Sequence, residues 1–237
     1  MSHADGNGRL LSNRILTLLP TEEHERLAPH FQYVELPLRE VLYRPDDLMP
    51  FVYFPLSGTV SVTAPMRDGD EVEVGVVGRE GMAGLPVFLG TDSSPFKAVV
   101  QVSGGAVRVK AGALRGEAAR GGELHLLLLR YAQAFFVQAG QTAACNRIHP
   151  LEARLAKWLL TTRDRARSDV LDLTQEFLSI MLGVRRSGVC ETLGALEERG
   201  LVGRARSRIT ILDGPGLEAA SCECYGVVRT EFDRLLA

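Results

Sequence analysis

Two periodicities share the chain. From Leu173 to Val202 the period is helical. Phe177, Leu178, Met181 and Leu182 recur at helical spacing from about Thr174, which can cap the start, and Gly183 follows as a C′ glycine. A second run from about Arg185 to Arg199 puts Val189, Leu193 and Leu196 on one face and Arg186, Ser187, Cys190 and Glu191 on another, and Gly200 stops it. The pattern predicts two helices joined by a tight turn. Beyond it, Arg204, Arg206 and Arg208 lie between Val202 and Ile209-Thr210-Ile211, which predicts a short β-hairpin.

From Phe31 the period is two. Strands are predicted over Phe31–Leu36, Val41–Tyr43, Phe51–Phe54, Thr59–Ala64, Glu71–Val74, Lys97–Val102 and Ala106–Lys110. Asp68-Gly69 marks a hairpin tip. Short strands separated by turns predict an antiparallel sandwich or jelly roll, within an α+β chain. Gly75 to Gly84 is glycine-rich and reads as a loop. It has no phosphate-loop lysine and no βαβ unit around it, so neither nucleotide fingerprint applies.

Helical patterns flank the strands. Residues 1 to about 9 are a polar arm, Leu10 to Leu19 a short apolar helix, and Pro20-Thr21-Glu22-Glu23 a second helix start. Glu123 to Arg147 predicts one long helix of about 37 Å. Leu124, Leu128, Tyr131, Phe135, Gln138 and Thr142 follow a 3–4 spacing there and read as a seam for a second copy of the chain. Pro150 ends it, Leu151 to Arg163 is the next helix with Trp158 as a core residue, and the hinge lies near Asn146 to His149. Leu217 to Leu236 reads as one last amphipathic helix.

Composition narrows the function. With 237 residues, 46% of them hydrophobic, two modest cores are affordable, and a net charge of −2 excludes a general nucleic-acid coat. Any DNA-binding charge must be local, as in the arginine hairpin. Cys145, Cys190, Cys222 and Cys224 have no disulfide-framework spacing and no apolar leader precedes them, so reduced thiols in a cytoplasmic chain without membrane contact are expected. On one continuous helix Cys222 and Cys224 would point about 200° apart, which speaks against a shared metal. His3, His24, His30, His125 and His149 form no metal-ligand pair, and no catalytic signature is visible, so no metal, cofactor or enzymatic activity is expected.

The helix pair and hairpin resemble the winged helix-turn-helix of the Crp/Fnr superfamily of bacterial transcription regulators. LSGTVSV (56–62), RIHPLEARLAKWLL (147–160) and GLEAASCECY (216–225) carry the likeness over nearly the whole chain. The resemblance implies an arm over 1–18, an effector roll over 19–120, a dimerisation helix and hinge over 121–148 and a DNA-binding domain over 149–237. It implies a homodimer on double-stranded DNA, with RNA polymerase as a partner. Arg186 aligns with the base-reading arginine. Ser187 and Glu191 stand where cyclic-AMP-type members carry a Glu and a second Arg, so base reading by Arg186, Ser187, Cys190 and Glu191 would select another half-site. Thr174, Arg185, Arg204, Arg206 and Arg208 become phosphate contacts.

In the effector roll, Gly81, Gly84, Phe96 and Lys97 fall in the nucleotide-binding region. Gly84 stands at the ribose-binding glutamate, and Phe96-Lys97 at the phosphate-binding Arg-Ser pair. An apolar Phe cannot hold a phosphate. The expectation is a degenerate pocket with no cyclic AMP gating and an unassigned effector. The competing readings are gating by a cyclic nucleotide in an altered pocket, and a β-barrel small-molecule-binding protein whose helical domain makes protein contacts.

Overall fold

The computed structural model describes residues 12–236, so most of the N-terminal arm and the start of the first predicted helix lie outside the described residues. Two short helices come first, α1 (Arg14–Thr17) and α2 (Thr21–Leu27). Seven strands follow, β1 (Gln32–Leu36), β2 (Val41–Tyr43), β3 (Phe51–Pro55), β4 (Thr59–Pro65), β5 (Glu71–Val77), β6 (Lys97–Val102) and β7 (Gly104–Lys110). They pair antiparallel as two facing sheets, β1-β7-β3 and β2-β6-β4-β5. Val52, Phe54, Val60, Val100, Val107 and Val109 are fully covered in the core they share. Each such side chain stabilises the roll by about 1.5–3 kcal/mol.

Three departures from the sequence pattern occur here. Gly75 to Val77 continue β5 rather than opening a loop. Two helices absent from the periodicity appear, α3 (Leu85–Phe88) and α4 (Ala111–Ala118). Finally, the outward polar row Thr59, Ser61 and Thr63 of β4 is buried rather than solvated, because the C-terminal helices lie over that sheet.

The long helix is α5 (Glu123–Ile148). Its start is capped from α2: the Glu23 carboxylate accepts the backbone N–H groups of Glu123 at 2.7 Å and Leu124 at 2.8 Å. The seam expected from Leu124, Leu128, Tyr131, Phe135, Gln138 and Thr142 faces inward instead. Leu124, Leu128, Tyr131 and Gln138 are buried within their own chain, and Tyr131 donates to the Met82 carbonyl at 3.0 Å. The roll needs an apolar helix to close its open side, and this stripe supplies it. The open face carries Leu126, Leu129, Gln133, Phe136, Gly140 and Ala143, a second 3–4 series.

After Pro150 come α6 (Leu151–Ala166), the short strand β8 (Val170–Leu171), α7 (Gln175–Leu182), α8 (Arg186–Glu198), β9 (Val202–Ala205) and β10 (Arg208–Ile211). β8 makes the hairpin a three-stranded sheet in the order β8-β10-β9. The last predicted helix is broken in two, α9 (Gly214–Ala220) and α10 (Cys224–Leu235), because Ser221 is extended at φ −79° and ψ 170°. α10 packs along α5, and its Val228 and Phe232 join the core of the roll.

Candidate nucleic-acid interface

The helix pair is built from its caps outward. Thr174 Oγ1 accepts the Phe177 N–H at 3.1 Å and starts α7. Gly183 is left-handed at φ 61°, and the Val184 N–H reaches back to the Ser179 carbonyl at 3.0 Å, closing a C-terminal cap. A side chain at that φ is strained, which is why glycine makes the turn. Arg185 is extended and α8 begins at Arg186. Val189, Leu193 and Leu196 anchor α8 in a core with Leu155, Leu159, Leu178 and Val202. That fixes the rotation of the helix and leaves Arg185, Arg186, Ser187, Cys190 and Glu191 exposed together. Thr174→Ala is expected to lower the stability of the helix pair by about 1 kcal/mol, read as a lower midpoint in thermal unfolding.

The hairpin arginines are not equivalent. Arg204 donates to Glu197 Oε2 from Nε at 2.7 Å and to the Cys190 carbonyl from Nη1 at 3.4 Å, bracing the wing against α8. The guanidinium holds the Glu197 carboxyl below its ordinary range. Arg208 pairs with Asp172 at 3.0 Å. Arg206 sits in the turn beside Ser207, which is left-handed at φ 57°. Among the described residues, Arg185, Arg186 and Arg206 enter no ion pair, whereas Arg204 and Arg208 do. The charges of Arg185, Arg186 and Arg206 are therefore open to an external anion. An open cleft of about 470 Å³ lies between the start of α7, α8 and the wing, with Arg186, Arg204, Arg206 and Arg208 on its walls. Arg39 of the roll adds a further cation to it. No local pattern marked Arg39, since it reaches the cleft only through domain packing.

The expected effector site is a separate cavity of about 200 Å³ in the roll. Tyr43, Met82, Gly84, Leu89, Phe96 and Phe135 are among its walls. Lys97 also lines it, but Nζ is held by Glu71 Oε2 at 3.0 Å. Gly84 lies at φ 102°, and a Cβ there would come within 2.8 Å of the Tyr43 hydroxyl, so a glutamate does not fit this backbone. Tyr43 donates that hydroxyl to the Phe51 carbonyl at 2.7 Å. Gly81 does not line the cavity. The Tyr131 ring fills the space its side chain would take. The cavity is apolar, and its polar groups already have partners.

A third feature joins the roll to the helical domain. Trp158 Nε1 on α6 donates to Glu73 Oε1 on β5 at 2.9 Å, Ser61 Oγ donates to Glu73 Oε2 at 2.6 Å, and Gln101 Nε2 lies 3.3 Å from the same oxygen. Burial raises the Glu73 carboxyl to about 7. Hydrogen bonds from Ser61 and Trp158, with the nearby Arg165 and Lys157 charges, oppose that rise.

A β-roll with an internal cavity, closed by one long helix that leads into a winged helix-turn-helix, is a transcription-regulator fold. Residues 33–120 match the cyclic nucleotide-binding domain family, and 153–220 match the Crp-like helix-turn-helix domain family. The two matches together span about two thirds of the chain, which belongs to the Crp/Fnr superfamily of transcription regulators. Solved structures agree in fold. FixK2 from Bradyrhizobium japonicum superposes with a TM-score of 0.69 at 18% identity, over 81% of this chain and 98% of FixK2. TTHA1359, a CRP/FNR family regulator of Thermus thermophilus, gives 0.64 at 19% identity, over 80% and 98%. CLP of Xanthomonas campestris, a c-di-GMP responsive global regulator, gives 0.64 at 17% identity, over 81% and 99%. No curated protein sequence matches the chain. Among the described residues, no helix is long and apolar enough to cross a membrane.

Proposed function

We propose that the chain binds a two-fold symmetric operator as a homodimer, and that cyclic AMP does not gate it. The observation that carries this reading is the open, unpaired Arg185-Arg186 pair at the first turn of a helix anchored on its other face. An α-helix fits the major groove, and an arginine in its first turns can take guanine O6 and N7 together. Arg186 is the base reader, with Ser187, Cys190 and Glu191 beside it. Arg185 and Arg206 bind phosphate. Thr174 can still donate its O–H to phosphate while its oxygen caps α7. Arg204 and Arg208 contribute to phosphate binding only after exchanging Glu197 and Asp172, which exposed pairs do at little cost.

Pairing is assigned to the Leu126, Leu129, Phe136 face of α5, since the inner stripe is already covered. Gly140 and Ala143 on the same face let two helices approach closely. The effector cavity supports the third part of the reading. Among the described residues no free cation faces it to hold a cyclic phosphate, and its walls suit an apolar ligand. A cytoplasmic location, RNA polymerase as partner and the absence of any catalysed reaction follow from this assignment.

The test is fluorescence anisotropy on a preferred duplex and on a random one, over a range of salt. Arg186→Ala is expected to cost about 1–3 kcal/mol on the preferred duplex and less on the random one. Arg206→Ala is expected to weaken both alike and to lower the salt slope by about 1. Added cyclic AMP leaves every curve unchanged. Equal losses for Arg186→Ala on both duplexes would sink its base-reading role.

A further inference from the structure

Four side chains that neither the DNA face nor the effector cavity uses converge where α5 ends and α10 begins. Cys145 lies in the last turn of α5 and His149 at its C-cap, four residues on. Cys222 follows the extended Ser221, and Cys224 opens α10. The break at Ser221 overturns the geometry expected of one continuous helix, in which Cys222 and Cys224 would diverge. One ligand atom from each of the four residues lies within 4.8 Å of all the others. Cys145 Sγ is 3.5 Å from Cys222 Sγ, and Cys224 Sγ is 3.5 Å from His149 Nδ1. All three cysteines are buried and unbridged.

These separations suit a tetrahedral ion. Bonds of about 2.3 Å to sulfur and 2.0–2.1 Å to nitrogen place neighbouring ligand atoms about 3.5–3.8 Å apart. The surroundings point the same way. Glu223 Oε2 lies 3.3 Å from His149 Nε2, so the carboxylate holds one ring nitrogen while the other faces the sulfurs. That is the outer shell of a metal-bound histidine. Gln141 Nε2 donates to Cys224 Sγ at 3.2 Å, as an amide does to a thiolate. Arg154 and Lys157 of α6 share a small cavity with Cys145. A divalent ion on three thiolates and a neutral imidazole carries a net charge of about −1, which these two cations offset. Packing alone can bring two sulfurs together. It does not also aim an imidazole nitrogen at a third sulfur and a carboxylate at the far side of the ring.

We propose that Cys145, His149, Cys222 and Cys224 bind one zinc ion as a closed Cys3His site that clasps the end of α5 to the start of α10. Three thiols and one imidazole make a soft set, which favours zinc over magnesium or calcium. Binding displaces three thiol protons to solvent. Four protein ligands leave no position for water or substrate, so the ion is structural. It closes over Asn146 to His149, the hinge between the helix that closes the roll and the DNA-binding domain. The metal thereby fixes how that domain is carried.

The test is metal content of the full chain purified without added metal or chelator. One zinc per chain is expected. Exchange with cobalt(II) should then give the intense d–d bands of a tetrahedral site and a sulfur-to-cobalt charge-transfer band. Cys222→Ser and Cys224→Ser should lose both signals, while Cys190→Ser, at the exposed cysteine of α8, keeps them. Because loss of a buried cysteine can also unfold the region, Glu223→Gln is the second probe. Its carboxylate is exposed, and zinc affinity should fall about 10–100-fold in competition with a chelating dye. A wild-type chain that holds no zinc and gives no such cobalt spectrum overturns the site. So does a Cys145–Cys222 disulfide, or full zinc content in Cys222→Ser and Cys224→Ser.

Discussion

Phe136→Asp is expected to turn the proposed dimer into a monomer. Phe136 is 73% exposed on α5, with Leu129 at 47% and Leu126 at 43% on the same face. Such an apolar stripe is stable in water when a copy covers it, and each covered Phe or Leu contributes about 1.5–3 kcal/mol. A carboxylate facing its symmetry mate in a dry seam reverses the sign of that contribution. Affinity for a duplex with two half-sites should fall by about 10²–10⁴-fold, because each domain then binds without the other's effective concentration. Sedimentation velocity reads the assembly state directly. Tyr131→Phe is the control: it removes the hydroxyl bond to Met82 inside the protomer and should leave the dimer intact. A Phe136→Asp protein that remains dimeric would place the interface elsewhere.

Contact between the roll and the helical domain should weaken as pH rises from about 5 to 8. Glu73 titrates near 7 when buried in this contact, against an ordinary value of 4.5. Below 4.5 the carboxyl is protonated whether or not it is covered, and the contact is at full strength. Between 4.5 and 7 an exposed Glu73 loses its proton while a buried one keeps it, so each pH step favours separation. Above 7 the whole difference is lost, on the order of 3 kcal/mol. The charges facing Glu73 are Arg165 and Lys157 of α6. Trp158 is the only tryptophan in the sequence and donates to Glu73, so its emission reports the contact. A red shift with a midpoint near pH 7 is expected in the wild type and a flat profile in Glu73→Gln. An identical shift in the variant would assign the effect elsewhere.

The helix pair and wing were legible because their signals are local. Thr174, Gly183 and Gly200 punctuate them, and Val189, Leu193 and Leu196 set the rotation of α8. The strands were legible for the same reason. The face of α5 was not. Its apolar residues satisfy a 3–4 spacing in two registers, one through Leu124 and Leu128 and one through Leu126 and Leu129, and periodicity holds no information on which the roll will cover. Charge held no information on partners either. Arg204 and Arg206 look alike in sequence, but Glu197 pairs with Arg204, whereas Arg206 enters no ion pair among the described residues. The Glu73–Trp158 bond spans 85 residues, and the cysteine cluster depends on one extended serine, so neither has a local signature.

The most direct measurement is selection from a pool of randomised duplexes with the full-length protein. Enrichment of an inverted repeat is expected, with half-site centres about 34–36 Å, or 10–10.5 base pairs, apart and a guanine in each half-site that the Arg186→Ala protein no longer requires. No enrichment over the starting pool, or enrichment of a motif without two-fold symmetry, would contradict a dimer that reads sequence through α8.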